Sequence, residues 1–457
     1  MGLRIDRLDD AIGAGVERLV VDHHHRRLRR HGWRHAYAPP ADGLWCAGDP
    51  PPRQGNRLEL LVDGERALAR LREDIGSATE SVFLAGWHFE PGFRLEHGGP
   101  TLRELLAETA ERVDVRVLAW AGAPLPLFTP SRSRVRAERE ALVHGTRIHM
   151  ALDSRERPMH CHHEKIALVD GRIAYVGGID LTALAGDRLD SHEHPPRGGI
   201  GWHDASARLE GPVVDDVAAH LALRWREVTG EMLGPVANEP RGDVETQFVR
   251  TVPNGVYDAL PRGDFRILEA YVRALRSAQR LVYLESQFLW SSELVELIAA
   301  KLRNPPNDEF RVVIVLPSRP NNGADDTRGQ LGILVDADRH DRLLACTLYQ
   351  EDRAHPVYVH AKIGIVDDRW LAIGSANLNE HSLFNDTEAC VITCDEQIAR
   401  ETRLALWREH LQADEPTFDT WRERAEDRGY DRVALLPHIS RRTRRFLGPL
   451  NGLLVDG

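Results

Sequence analysis

Short apolar runs recur along the chain with the same neighbours each time. SVFLAGWHF (81–89) and LVYLESQFLW (281–290) read as buried strands that end in polar and aromatic residues. Each is followed by a segment with helical apolar spacing, TLRELLAETAER (101–112) and SSELVELIAAKL (291–302), the second with Ser291 placed as an N-cap. VDVRVLAW (113–120) and FRVVIVLP (310–317) come next as strands, then RVRAEREALVHG (134–145) and GQLGILVDADRHD (329–341) as helices. TRIHMALD (146–153) and LLACTLYQ (343–350) close each series. This alternation, with strands apolar on both faces, predicts a largely buried α/β sheet in each half.

The series lead into a true repeat. HHEKIALVDGRIAYVGGID (162–180) and VHAKIGIVDDRWLAIGSAN (359–377) both contain His-x-Lys-x4-Asp: His163, Lys165, Asp170 and His360, Lys362, Asp367. All three pairs are 197 residues apart, as are Gly177 and Gly374, Gly178 and Ser375, and Asp180 and Asn377. One such match carries little weight; six at one offset indicate an internal duplication. His and Lys two apart share a face of an extended chain, and Asp-Gly or Asp-Asp marks a turn, so each motif reads as a hairpin with His and Lys at its mouth. Each Asp is either part of the chemistry or the maker of that turn.

The repeat sets the expected domains: an N-terminal extension (1–45), a first α/β domain (46–235) with its motif at 163–170, a second (236–437) with its motif at 360–367, and a basic tail (438–457). The Pro- and Gly-rich stretch 231–264, around the strand candidate VETQFVRTV, forms the boundary. No apolar run approaches the length of a membrane span, and the first twenty residues do not resemble an export signal. Five cysteines without zinc-type spacing are expected to be reduced thiols in a cytoplasmic protein.

Charge narrows the partners. The net charge is −11, but residues 1–40 and 438–457 each carry +3, which leaves −17 for the body. A body that acidic argues against a nucleic-acid footprint. DHHHRRLRRHGWRH (22–35) reads as a solvated helix face, a membrane-surface contact or a metal-binding cluster. Only three of the 59 basic residues are Lys, and two of those, Lys165 and Lys362, sit in the repeated motif. Lys offers a compact ammonium where Arg offers a planar fork, so the choice points to a tight site.

Two His and two Lys brought together form a compact cationic pocket suited to a phosphate ester. The charge of a phosphoryl transition state needs preorganised positive donors, and an imidazole can attack phosphorus while a second protonates the departing alkoxide. Adjacent residues of a strand point to opposite faces, so His160, Cys161, His162 and His163 make a poor metal cage. Trp87, His88, Trp202 and His203 either line the cleft or pack at its rim.

The doubled motif with downstream Gly-Gly or Gly-Ser resembles the phospholipase D superfamily, and from about 78 to 412 the chain is similar to its phospholipase D and transphosphatidylase members. GWHDASARLEGPVVDDVAAHLALRWRE (201–227), AYVRALRSAQRLVYLESQFLW (270–290, with Ser286 where that family usually has Asn) and GSANLNEHSLFNDTEA (374–389) carry the likeness. It implies two α/β/α sandwich domains related by a pseudo-twofold, with one site at their interface. It implies phosphohistidine chemistry with no cofactor and no metal, His163 being the usual nucleophile and His360 the acid and base, although by pattern the two are equivalent. Asn377, with Ser375 and Gly178, matches phosphate-binding positions. Asp180 departs from the Asn expected as the mate of Asn377, and an ionised Asp180 facing phosphate would repel it. Asp204 and Glu388 match carboxylates that orient the imidazoles; otherwise they are ordinary surface acids.

The expected activity is hydrolysis of phospholipid head-group diesters to phosphatidic acid and an alcohol, with possible transfer to other alcohols. The partners are phospholipid at a membrane surface and water or alcohol, not nucleic acid; the location is cytoplasmic and peripheral, with RRTRRFLGPLNGLL (441–454) touching anionic lipid. A cardiolipin-synthase-like transferase is disfavoured by the lack of an apolar anchor before the core. A nuclease is disfavoured by the acidic body, and an inactive scaffold by two intact His-Lys pairs.

Overall fold

The computed structural model describes residues 2–124, 129–183, 201–318, 320, 324–350, 353–437 and 439, without the side chains of 2–11, 324 and 325. The tail segment 441–454 lies outside these residues.

The first half supplies β1 (Arg53–Val62), β2 (Ser81–Gly86), β3 (Asp114–Trp120), β4 (His149–Asp153), β5 (Ile166–Val169), β6 (Ile173–Gly177), β7 (Gly201–His203) and β8 (Ala205–Glu210). The second supplies β9 (Val244–Val252), β10 (Asp264–Phe265), β11 (Leu281–Glu285), β12 (Arg311–Val315), β13 (Leu343–Leu348), β14 (Val357–Val359), β15 (Ile363–Val366), β16 (Trp370–Gly374), β17 (Glu388–Thr393) and β18 (Val433–Leu435). From one edge the main sheet runs β4-β3-β2-β5-β6-β8-β1, and from the other β13-β12-β11-β15-β16-β17-β9, with β18 added outside β13. The two orders are mirror copies that meet where β1 pairs antiparallel with β9. In each, three strands run parallel and the motif hairpin antiparallel. The α/β expectation holds, and the halves are joined through one continuous sheet. VETQFVRTV is β9, the strand at that join.

Helices cover both faces of the sheet. Leu221 and Trp225 of the helix Val213–Thr229 and Leu406 of the helix Glu396–Leu411 share one core with Val176, Ala207 and Ile373, so this core crosses between the halves. On the opposite face each half has its own core, Leu68, Leu106 and Val117 in the first and Leu268, Tyr271 and Ile314 in the second. Thr101 caps the helix Leu102–Ala110 with a full capping box. Ser291 occupies the N-cap position of the helix Ser292–Arg303, but its hydroxyl is turned to Glu293 and makes no capping bond.

Residues 22–30 of the His- and Arg-rich segment lie on the helix Gly2–Arg30, with Asp22, His23, Arg26, Arg29 and Arg30 on a solvated face and the other face docked on the second half. His24 stacks on Phe384 at 4.3 Å and pairs with Glu380, His25 stacks on Tyr37 at 3.9 Å and pairs with Glu293, and Arg27 is buried against Asn385. None of the five cysteines is in a disulfide. Among the described residues no helix is long and apolar enough to cross a membrane.

Candidate active site

Each motif enters its hairpin along an extended stretch, and that stretch is held by the other half. The N–H of His163 donates to the carbonyl of Thr387 at 2.9 Å, and the N–H of His360 donates to the carbonyl of His203 at 2.8 Å. His162 bridges Thr387 in parallel, and β14 pairs in parallel with β7, so the crossing is reciprocal.

The residues after those carbonyls orient the rings. Glu388 places a carboxylate oxygen 3.0 Å from Nδ1 of His163, and Asp204 places one 2.7 Å from Nδ1 of His360. All four side chains are buried. A carboxylate at Nδ1 fixes that nitrogen as the protonated one and turns Nε2 the other way. Glu388 is itself held by the hydroxyls of Ser375 and, at 2.6 Å, Ser382. Asp204 is held through its neighbours: Asp63 accepts from the Asp204 N–H at 3.1 Å and donates its own N–H to the Asp204 carbonyl at 2.8 Å. Gly178 stands opposite Asp204, where a Cβ would fall 2.1 Å from the carboxylate and 3.2 Å from Lys362 Cδ. The pseudo-equivalent positions thus solve one problem in two ways, a hydroxyl at Ser375 and empty space at Gly178.

Both lysines are buried, and each Nζ donates to the carbonyl of its own motif histidine, at 2.7 Å for Lys165. Lys165 also pairs with Asp180 at 3.4 Å. Burial lowers the Lys362 pKa to about 7; Asp204 opposes that shift and the charge of Lys165 adds to it. Asp180 therefore faces inward onto Lys165, and the site is asymmetric. Its mate Asn377 donates to Gln287 at 3.3 Å and keeps a buried Oδ1 that has no partner among the described residues.

Asp170 and Asp367 require a correction, since a catalytic place for them is not what the geometry gives. They sit at the closed ends of the hairpins. Asp170 accepts from the N–H groups of Thr79, Glu80 and Ser81, and Asp367 from those of Gln279, Arg280 and Leu281 at 2.7, 2.7 and 2.8 Å. Each carboxylate fastens its hairpin to the start of the neighbouring strand. Backbone N–H bonds hold Asp170 ionised below the usual range against the opposing effect of burial.

Among the remaining candidates, Trp202 stacks on Tyr358 at 4.7 Å and tilts over His360 at 5.1 Å. Trp87 stacks on Trp120, and His88 pairs with Glu138. His203 is buried between Asp63 and Glu285, 2.8 Å from each. Asp63, Glu285 and Ser382 were not visible in the sequence. Asp63 lies 141 residues before Asp204, and its one local oddity, a φ of 63°, exists only in three dimensions. Ser286 accepts from the Leu378 N–H at 3.3 Å, so its side chain supports the segment that carries Asn377.

A duplicated α/β sheet with paired His-Lys motifs exchanged across its join defines a class of protein, and the comparisons say which. Residues 271–408 match the family described as "Cardiolipin synthase, PLD-like domain". The chain is 25% identical to phospholipase D A of Dictyostelium discoideum over 79% of its own length and 36% of that protein. It is 25% identical to the major cardiolipin synthase ClsA of Bacillus subtilis (81% of this chain, 72% of that protein). It is 27% identical to cardiolipin synthase A of Pseudomonas aeruginosa (88% and 74%). The phosphatidylserine synthase structure from Haemophilus influenzae shares the fold, with a TM-score of 0.52 at 14% identity over 77% of this chain and 86% of that one. The chain belongs to the phospholipase D superfamily.

Proposed function

We propose that this chain is a phosphodiesterase that cleaves phospholipid head-group diesters through a phosphohistidine intermediate. The observation that carries the reading is the exchange of carboxylates, Glu388 on His163 and Asp204 on His360, around two buried lysines. Nε2 of His163 attacks phosphorus, a P–N bond forms and the P–O bond to the head group breaks. His360, protonated, gives its Nε2 proton to the departing alkoxide. His360 then takes a proton from water, the water oxygen forms a new P–O bond, and the P–N bond breaks to release phosphatidic acid. Lys165 and Lys362 meet the charge on the non-bridging oxygens, and the amide of Asn377 adds a neutral donor. Asp180 limits the net charge of the empty pocket by pairing with Lys165.

An alcohol that replaces water in the second step makes the same site a phosphatidyltransferase. The match to the cardiolipin synthase family and the 74% coverage of the Pseudomonas aeruginosa protein favour keeping this reading. Incubation with phosphatidylcholine, phosphatidylglycerol, cardiolipin and bis-p-nitrophenyl phosphate, with and without ethanol, separates the two. Phosphatidic acid marks hydrolysis and phosphatidylethanol marks transfer. His163→Ala and His360→Ala each abolish turnover, and acid-labile, base-stable label is trapped on the chain that keeps the nucleophile. Full activity in either variant, or cleavage of nucleic acid alone, overturns the proposal.

A further inference from the structure

Three buried side chains that this chemistry does not use converge beside the first motif. They are His160, in the lead-in to the motif, His381, which opens the single π-helical turn His381–Asn385, and Asp386, which follows it. Nδ1 of His160 lies 3.1 Å from Nδ1 of His381 and 3.5 Å from Oδ1 of Asp386. His160 is 7% exposed and the other two are 0% exposed. Oδ1 of Asp386 also accepts the N–H of Cys161 at 2.9 Å, but its Oδ2 has no hydrogen-bond partner among the described residues.

A hydrogen-bonded triad accounts for these contacts poorly. One proton between two ring nitrogens leaves half of a buried carboxylate unsatisfied, at a cost of about 1–3 kcal/mol or more. A cation that takes Oδ2 of the carboxylate, with Oδ1 kept on the Cys161 N–H, removes that deficit. Around an ion with bonds of about 2.0–2.1 Å, tetrahedral ligands stand about 3.3 Å apart, against 3.1 Å between the two ring nitrogens. The comparable group His203, Glu285 and His410 commits its ligand atoms to direct bonds of 2.8 and 2.9 Å.

The cluster also breaks the pseudo-symmetry. The residue 197 after His160 is Val357, and Trp202, before His203 and Asp204, stands where Asp386 precedes Thr387 and Glu388. The second half therefore has no counterpart, and the cluster is not part of the doubled phosphate machinery. It is also not the run of adjacent residues at 160–163, because His162 faces Asp153 at 3.1 Å and His163 faces Glu388.

We propose that His160, His381 and Asp386 bind a divalent transition metal, best matched by zinc, with a fourth position for water. The ion ties the first motif to the π-turn of the second half, one residue from the His163–Thr387 backbone bond, and no step of the phosphoryl chemistry runs through it.

The test uses the full chain stripped of metal, titrated with zinc ion alone against a chromophoric chelator, and with cobalt(II) for its visible absorption. One equivalent of zinc binds, cobalt gives a tetrahedral-type spectrum, and zinc raises the melting temperature. His381→Ala and Asp386→Asn each weaken zinc binding about 100-fold or more, and His160→Gln serves if either does not fold. Absence of saturable one-equivalent binding, or binding that survives all folded variants, shows a hydrogen-bonded triad and overturns the proposal. Turnover of a soluble diester is measured in parallel, so this inference and the proposed function fail separately.

Discussion

Asp204, from the first half, reaches 2.7 Å from Nδ1 of His360, from the second. Glu388 repays the contact on His163 at 3.0 Å. Neither half owns a complete histidine. Asp204→Asn and Glu388→Gln keep the shape but present an amide that no longer stabilises a charged ring. Each is expected to lower kcat by about 10²–10⁴-fold, as for loss of a general acid–base, measured on a soluble diester with circular dichroism as the control for folding.

Lys362, with a pKa of about 7 in the empty site, predicts an alkaline fall in kcat/KM near neutrality. Lys362→Arg stays charged and removes that limb, at a lower maximum because the planar fork does not fit a site built for an ammonium. Stability moves the other way. The unfolded chain holds this proton to about pH 10.4, so between about 7 and 10 it binds more protons than the folded chain, and stability rises with pH across that window. Lys362→Met should therefore stabilise the inactive protein more at pH 6 than at pH 10, by urea denaturation.

Asp170 and Asp367 should behave as structural residues. Asp367→Ala leaves three backbone donors without their acceptor and is expected to cost about 1.5–3 kcal/mol. The more exposed Asp170 should cost less. Its depressed pKa means that its contribution is present above about pH 4 and is lost as the pH falls further. Denaturation midpoints should fall in both variants while kcat per folded molecule stays near wild type.

Two glycines separate fold from chemistry. A Cβ at Gly374 would lie 2.5 Å from the Ala389 carbonyl oxygen, which is backbone and cannot yield, so Gly374→Ala should lower the melting temperature sharply. A Cβ at Gly178 meets the Asp204 carboxylate instead. Gly178→Ala should fold and lose activity as Asp204→Asn does.

The amino-acid order alone determined the duplication, the strand and helix series and the two His-Lys pairs, and family likeness singled out Asp204 and Glu388 as candidate acids without separating an orienting role from a surface one. These are local patterns and fixed offsets, and every residue involved lies inside a repeated motif or a segment with family likeness. It left the two aspartates of the motif open between turn and chemistry, because a carboxylate at a hairpin end looks the same in either role. The partners of those aspartates, the exchange of carboxylates between halves, the Asp63 clamp, the docking of the His-rich helix and the meeting of His160 with His381 and Asp386 were decided by tertiary structure. Each is a contact between residues 86 or more positions apart, set by the mirrored sheet orders and the reciprocal crossing at their join. No local spacing records such a contact, because the backbone between the partners contributes nothing to it except its path.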